Sequence, residues 1–375
     1  MKTISIKTSR ITLLGLLAAL SLVLSACGGQ PALESWPGTA LGAGGSPIYL
    51  ASGAHIYTVD ASGVQQGIVP VTADAKVHFF APPAEAPDGS LIGGSYDHKL
   101  YSMQLGSDQQ NWVFAEARDR YVASPLIVND LVLAPNADGN LYALGLDGAL
   151  RWKFTAEHGF WATPLLDGQT LYAASKDHRI YALELSSGRA LWETEDLGGE
   201  IVSAPRLGPD GLLYVGTFGS RTTDPARMSR MVAVQAETGK TAWSTPVLGW
   251  VWGTPVLADG TLYFGDQEGY LYSVNAADGK INWQVQLDTG ATRAIVGAPL
   301  LVDDGLYFVN KAGNLYRVNP ATGAQVWMQT VGGQLYTTPL LVDGKIVVAP
   351  LNFESLLVAY DTNGARQWAF TPAGK

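Results

Sequence analysis

The 375-residue sequence predicts an all-β chain built as a single β-propeller of about eight four-stranded blades, and three markers recurring in constant phase predict it. The first is an apolar pair, usually ending in tyrosine, at Ile56-Tyr57, Leu100-Tyr101, Leu141-Tyr142, Ile180-Tyr181, Met231-Val232, Leu271-Tyr272, Leu315-Tyr316 and Leu357-Val358. Its second members lie 44, 41, 39, 51, 40, 44 and 42 residues apart. The second marker is a tryptophan ten or eleven residues later, at Trp112, Trp152, Trp192, Trp243, Trp283, Trp327 and Trp368, with Ile68 in its place in the first unit. The third is a small residue followed by proline, at Ser124-Pro125, Thr163-Pro164, Ala204-Pro205, Thr254-Pro255, Ala298-Pro299 and Thr338-Pro339. A repeat of roughly 40 residues holding four short strands is the signature of a propeller blade.

Each element of the repeat follows from local chemistry. In the third unit, Leu126-Ile127-Val128, Leu131-Val132-Leu133, Leu141–Leu144 and Leu150–Phe154 are apolar or aromatic runs separated by Asn129-Asp130, Asp138-Gly139 and Asp147-Gly148. Such pairs favour hairpins because the turn needs positive φ. The marker proline heads the first strand, where a missing N–H costs little. The tryptophan near the last strand reads as packing between neighbouring blades, since an indole fills the wedge between diverging sheets. Ile48–Ala51 and Ile56–Asp60 match the second and third strands of a first unit that lacks the small-residue-proline marker at the usual distance; either Trp36-Pro37 supplies it after a looser turn through Gly42, Gly44 and Gly45, or that segment is tether. The expectation is eight blades; the alternative is seven plus a partial blade.

The N-terminus reads as a targeting segment. Lys2, Lys7 and Arg10 precede an apolar run from Ile11 to Leu24 that is too short to span a bilayer comfortably. The run ends in Leu24-Ser25-Ala26-Cys27, which resembles a lipobox, and Cys27 is the single cysteine of the chain. The expected division is a signal peptide at 1–26, a lipidated tether at 27–46 and the propeller at 47–375. Several acyl chains on Cys27 suffice for stable anchoring, and one cysteine excludes a disulfide framework. The segment after residue 26 carries 21 basic and 33 acidic residues, a charge of −12 against −9 for the whole sequence. That excess disfavours nucleic acid and anionic membrane surfaces as partners. The expected location is the periplasmic face of an outer membrane in a host with two membranes, or the outer leaflet of the cell membrane in a host with one.

Asp138-Gly139-Asn140-Leu141-Tyr142-Ala143-Leu144, and Arg179-Ile180-Tyr181-Ala182-Leu183 running on to Leu191-Trp192, resemble the PQQ-type β-propeller repeat over roughly residues 47–371. Two branches share that repeat. The quinoprotein alcohol dehydrogenases bind pyrroloquinoline quinone and calcium on the axis, many beside a disulfide between adjacent cysteines. The resemblance to them implies a calcium cage, whereas the first strands here supply mainly Ser124, Thr163, Thr254 and Thr338 and no acid. The other branch, the BamB lipoproteins, begins at a lipidated cysteine and implies a scaffold without catalysis. The reading is therefore a non-enzyme without a cofactor, binding other extracytoplasmic or membrane proteins, with no small-molecule ligand identified. A quinone-dependent dehydrogenase, or a quinone- or glycan-binding propeller, is the alternative.

Two features break the regularity and are candidate partner-binding sites. The unit from Ile201 to Gly249 carries an insertion, Ser220–Arg230, with Arg221, Arg227 and Arg230; function concentrates on loops held by rigid scaffolds. Counting back three and four residues from the marker prolines gives His78 and Phe79, Tyr121, Phe160 and Trp161, Trp252, and Tyr336, expected at one channel mouth on the face that the insertion shares. Trp161, Trp252 and Tyr336 are taken as the aromatic anchors, since arginine and aromatic residues dominate protein interfaces. His98 and His178 occupy matching turns, which suggests turn chemistry and not metal binding. His158 and Glu157 precede Phe160 without partners from other blades. No metal-spaced cluster, phosphate loop or nucleophile with an adjacent base appears.

Overall fold

The computed structural model describes residues 37–219 and 228–373, and these form eight four-stranded antiparallel sheets and one two-stranded ribbon. The expected signal peptide, Cys27, Arg221 and Arg227 lie outside the described residues. The single helical element among those described is a 3-10 turn at Ala43–Gly45. In every blade the four strands follow one another in chain order as a meander. Blade one comprises Gly38–Leu41, Ile48–Ser52, His55–Val59 and Gln65–Val69. Its first strand thus falls inside the stretch 27–46 read from sequence as tether. Pro37 directly precedes it, as the marker proline precedes the first strands elsewhere, and the 3-10 turn lengthens the link to the second strand. In blade eight the second hairpin is widened, and Pro350–Leu351 pairs with Gln334–Leu335 as the ribbon.

The core is divided by seams between blades. Strand periodicity sends alternate side chains to opposite faces. Leu262 therefore packs with Tyr214 of blade five while Tyr263, next in sequence, packs with Leu306 of blade seven. The buried side chains form eight clusters, one per seam, including one in which Ile48, Leu50 and Val59 of blade one meet Val347, Leu357 and Phe370 of blade eight. The ring is closed by packing, with no strand shared between its first and last blades. Second and third strands are the most buried, and outermost strands such as Gln325–Thr330 alternate between exposed and partly buried residues.

The tryptophans do what their position suggested. Each sits opposite a third-strand residue just before a bulge that recurs in every blade, as Trp152 does opposite Ala143; a bulge sharpens the local twist. Each indole Nε1–H donates to a carbonyl of the next blade. Trp152 bonds to Leu185 O at 3.0 Å, Trp243 to Ala276 O at 2.8 Å, and Trp368 to Ala61 O of blade one at 3.0 Å. A positive-φ glycine of the next blade lies against the ring. A Cβ on Gly63, at φ 85°, would stand 2.6 Å from Trp368. Blade one departs from the sequence expectation. Ile68 pairs with Tyr57, whereas the residue opposite Thr58, in the tryptophan's register, is Gly67. The seam between blades one and two is instead clasped by polar contacts. Gly106 N–H donates to Ile68 O at 3.1 Å, and Thr72 donates from its backbone N–H and its hydroxyl to the two oxygens of Asp108, each at 2.7 Å.

Candidate binding site at the channel mouth

Residues at or just before the first strands of all eight blades line a cavity of about 240 Å³. The same strand periodicity that divides the core decides what reaches it. The residue four before each marker proline is buried in a seam: Tyr121, Phe160, Ile201, Val251, Ile295 and Leu335. The next residue, three before the proline, lines the cavity: Val122, Trp161, Val202, Trp252, Val296 and Tyr336. In blade two the frame is set by Pro83, so that Phe79 is buried and Phe80 lines the cavity. The six aromatics singled out by counting therefore divide. Phe79, Tyr121 and Phe160 are core, while Trp161, Trp252 and Tyr336 meet at the channel. Large rings occupy blades two, four, six and eight, and valine occupies blades three, five and seven. Near an axis where eight strands crowd together, alternating large and small side chains lets them interdigitate.

Aromatic and cationic groups continue onto the rim. Trp161 and Trp252 approach across Val202 with ring centroids 6.1 Å apart, tilted by 39°. Phe218 stacks on Trp250 at 4.9 Å and meets Trp252 edge-on at 5.4 Å. Tyr96, Lys176, Phe218 and Lys311 each stand two residues past the end of a second strand, held by a backbone N–H to a carbonyl at the entry to the first strand. The bond from Lys176 to Gly159 O is 3.0 Å. Lys176 Nζ lies 4.1 Å from the Trp161 ring centroid and 3.3 Å from Glu200 Oε2, and Lys311 Nζ lies 5.5 Å from that of Tyr336. Sequence reasoning missed Trp250, and it missed Phe218 and these cations although their constant offset from the second strand was available to find them.

The described base of the insertion grows out of this cluster. Trp250 Nε1 donates to Gly219 O at 2.8 Å, and Gly219 N–H to Ser229 Oγ at 3.1 Å. Arg230 is not part of the cavity wall. It opens the third strand of blade five, and its guanidinium donates to Ser244 Oγ at 3.1 Å on the outermost strand. His98 and His178 take φ of 70° and 73°, where Gly139 of blade three takes 90°. His178 Nδ1 stands 3.0 Å from Asp196 Oδ1. His158 contributes to a side pocket with Trp161, Lys176 and Glu200. Among the described residues no three histidine, cysteine, aspartate or glutamate side chains are grouped as metal ligands.

The cavity wall does not fit the quinone and calcium of the dehydrogenase branch. It contains no carboxylate or amide side chain, whereas calcium takes six to eight oxygen ligands. Its hydroxyls join neighbouring blades. Ser124 Oγ donates to Pro82 O at 2.5 Å, Thr163 Oγ1 to Ser124 O at 3.1 Å, and Thr338 Oγ1 accepts from Ala298 N–H at 3.0 Å.

The family model described as "Outer membrane protein assembly factor BamB" matches residues 97–205, 197–300 and 290–374. The chain belongs to the BamB family. Curated BamB relatives include that of Yersinia pestis, 29% identical over 130 residues, which are 34% of this chain and 33% of the relative. That of Escherichia coli K12 is 30% identical over 152 residues, 40% of this chain and 36% of the relative. The chain thus matches about a third of the length of these relatives. Among solved structures, BamB from Moraxella catarrhalis superposes with a TM-score of 0.67 at 18% identity, over 83% of this chain and 92% of that one. A europium-containing methanol dehydrogenase reaches 0.65 at 12% identity, over 82% of this chain and 81% of that one. At those identities both likenesses speak for the propeller fold alone.

Proposed function

We propose that this chain is a non-catalytic scaffold, anchored by lipid at Cys27 on the extracytoplasmic side of a membrane, and that its channel-mouth face docks protein partners in outer-membrane protein assembly. The observation that carries the reading is the convergence of Trp161, Trp252 and Tyr336 on one mouth, with Gly219 and Ser229, the described base of the insertion, hydrogen-bonded to each other and to Trp250 nearby. Partly exposed aromatics at the centre of a surface anchor protein interfaces. Membership of a family described as an assembly factor supports the same direction. The uncharged cavity wall supports the absence of a quinone cofactor and of dehydrogenase activity. Turnover of an alcohol or aldose by protein incubated with pyrroloquinoline quinone, calcium and an electron acceptor would overturn that part. The docking test is photo-crosslinking in cells from position 267 on the mouth rim and from position 147 in a turn at the opposite end. Specific adducts from 267 alone, reduced by the triple substitution Arg221→Ala, Arg227→Ala and Arg230→Ala, are expected. Equal adducts from both positions refute the assignment of the face. Cys27→Ser is expected to release the protein from the membrane fraction, and unchanged fractionation refutes the anchor.

A further inference from the structure

Arg120 stands five residues before the marker proline of blade three, with its guanidinium carbon 5.2 Å from the ring centroid of Tyr96 and 5.6 Å from that of Trp161. Among the described residues no carboxylate pairs with it, and its Nε is buried without a hydrogen-bond partner. The residue as a whole is partly exposed, and only its Nε is enclosed without a partner, an arrangement that costs that donor its hydrogen bond. Lys176, over the same indole, is answered by Glu200. The two rings hold the guanidinium by cation–π attraction, and one of them, Trp161, also lines the uncharged, aromatic-walled cavity.

We propose that the channel mouth binds a small organic carboxylate with a compact apolar body, the carboxylate on Arg120 and the body against Trp161, Trp252 and Val202. A carboxylate is the anion whose geometry matches the arginine fork in bidentate fashion. The size of the body follows from the cavity. At about 240 Å³ it falls below the roughly 300 Å³ of drug-sized sites, so it takes one ring system with a short acidic arm and not a three-ring cofactor or a sugar chain. The tilted pair of indoles offers an apolar surface in a cavity lined by no charged residue, and the small side chain of Val202 lies between them. This site goes beyond the scaffold reading, because the isolated chain binds the ligand without any protein partner, and either claim stands if the other fails.

The test is calorimetric titration of the purified protein at neutral pH with indole-3-acetate and with its neutral analogue indole-3-acetamide. The acid is expected to bind at least about tenfold more tightly than the amide, the scale of a charge-assisted hydrogen-bonded pair. Arg120→Gln is expected to bring the acid down to the level of the amide while leaving the amide unchanged. Equal affinity of acid and amide for the unaltered protein, saturable binding of neither, or full acid affinity in a folded Arg120→Gln variant each overturns the proposal. If Arg120→Gln melts early, the acid–amide comparison on the unaltered protein decides alone.

Discussion

Replacing Trp368 with alanine removes the indole that joins blade eight to blade one, and the structure sets the size of the effect. Truncating a large buried aromatic costs about 3–5 kcal/mol. Trp368 is partly buried, which places it near the lower end, at about 3 kcal/mol, including about 1 kcal/mol for the bond from Nε1 to Ala61 O. The unit from Trp36 to Lys375 has 340 residues. At about 2.1 cal/mol/K per residue its unfolding entropy is about 0.7 kcal/mol/K, so the loss lowers Tm by about 4 °C. Trp368→Phe, which keeps a ring and loses the N–H, is expected to fall by roughly a third as much. The assay is a calorimetric melt combined with amide hydrogen exchange. Exchange at residues 60–69 is expected to quicken more in Trp368→Ala than exchange around Gly279 does in Trp243→Ala. The reason is that blades five and six remain joined by the chain, while blades one and eight have only their packing. A melt within about 1 °C of the unaltered protein, with unchanged exchange at residues 60–69, would refute the claim that this indole holds the ring closed.

Three further expectations concern other seams and turns. Gly67→Trp installs the absent indole in register, with the nearest atoms to a new Cβ at 3.8 Å. Because an interior strand glycine also costs about 0.5–1 kcal/mol, a melt raised by one to three degrees is expected, and a lowered one shows that Leu105 cannot make way. Hydrogen bonds from Thr72 hold the carboxyl of Asp108 below its usual range. Its stabilisation is thus present above about pH 4 and lost as pH falls through the lowered folded value; Asp108→Asn should quicken exchange at Gly106 at neutral pH and abolish the acid dependence there. Burial pushes Asp266 up to about 6 although its oxygens accept from the backbone N–H groups of Gly249, Glu268 and Tyr270 and from the Tyr272 hydroxyl. The folded form therefore binds the proton more tightly than the unfolded chain. Stability contributed by this group rises as pH drops from about 7 to 5, and Asp266→Asn should lower stability at both pH values and remove that rise in denaturant titrations.

Much of this was legible before any coordinates. Blade number, strand order and the seam role of the tryptophans follow from three markers whose chemistry is local: a turn that needs positive φ, a strand that begins at proline, and an indole at a fixed distance. What was not legible depends on register at single-residue precision. Counting three and four residues back from proline pooled Phe160 with Trp161, yet a strand turns alternate residues to opposite faces, so one went to a seam and the other to the channel. An offset of eleven assigned Ile68 to the tryptophan's place because the bulge position that selects Gly67 is invisible in the string. Arg120, Lys176 and Lys311 escaped notice because each is an ordinary surface cation in sequence; Arg120 and Lys311 gain meaning from rings across a seam, and Lys176 from Trp161 of its own blade.

Because every blade is one uninterrupted stretch of chain, the order in which blades are written into the gene is separable from the ring they build. A permuted chain starting at Leu165, with the present ends joined by a linker long enough to span from Phe370 on an outermost strand to Gly38 on an innermost one, leaves all eight sheets whole. It only moves the unlinked joint from blades eight and one to blades three and four. The same independence lets an insertion such as that of blade five lengthen one connection without disturbing any strand pairing, so the rim of the mouth can diversify while the ring beneath it stays fixed.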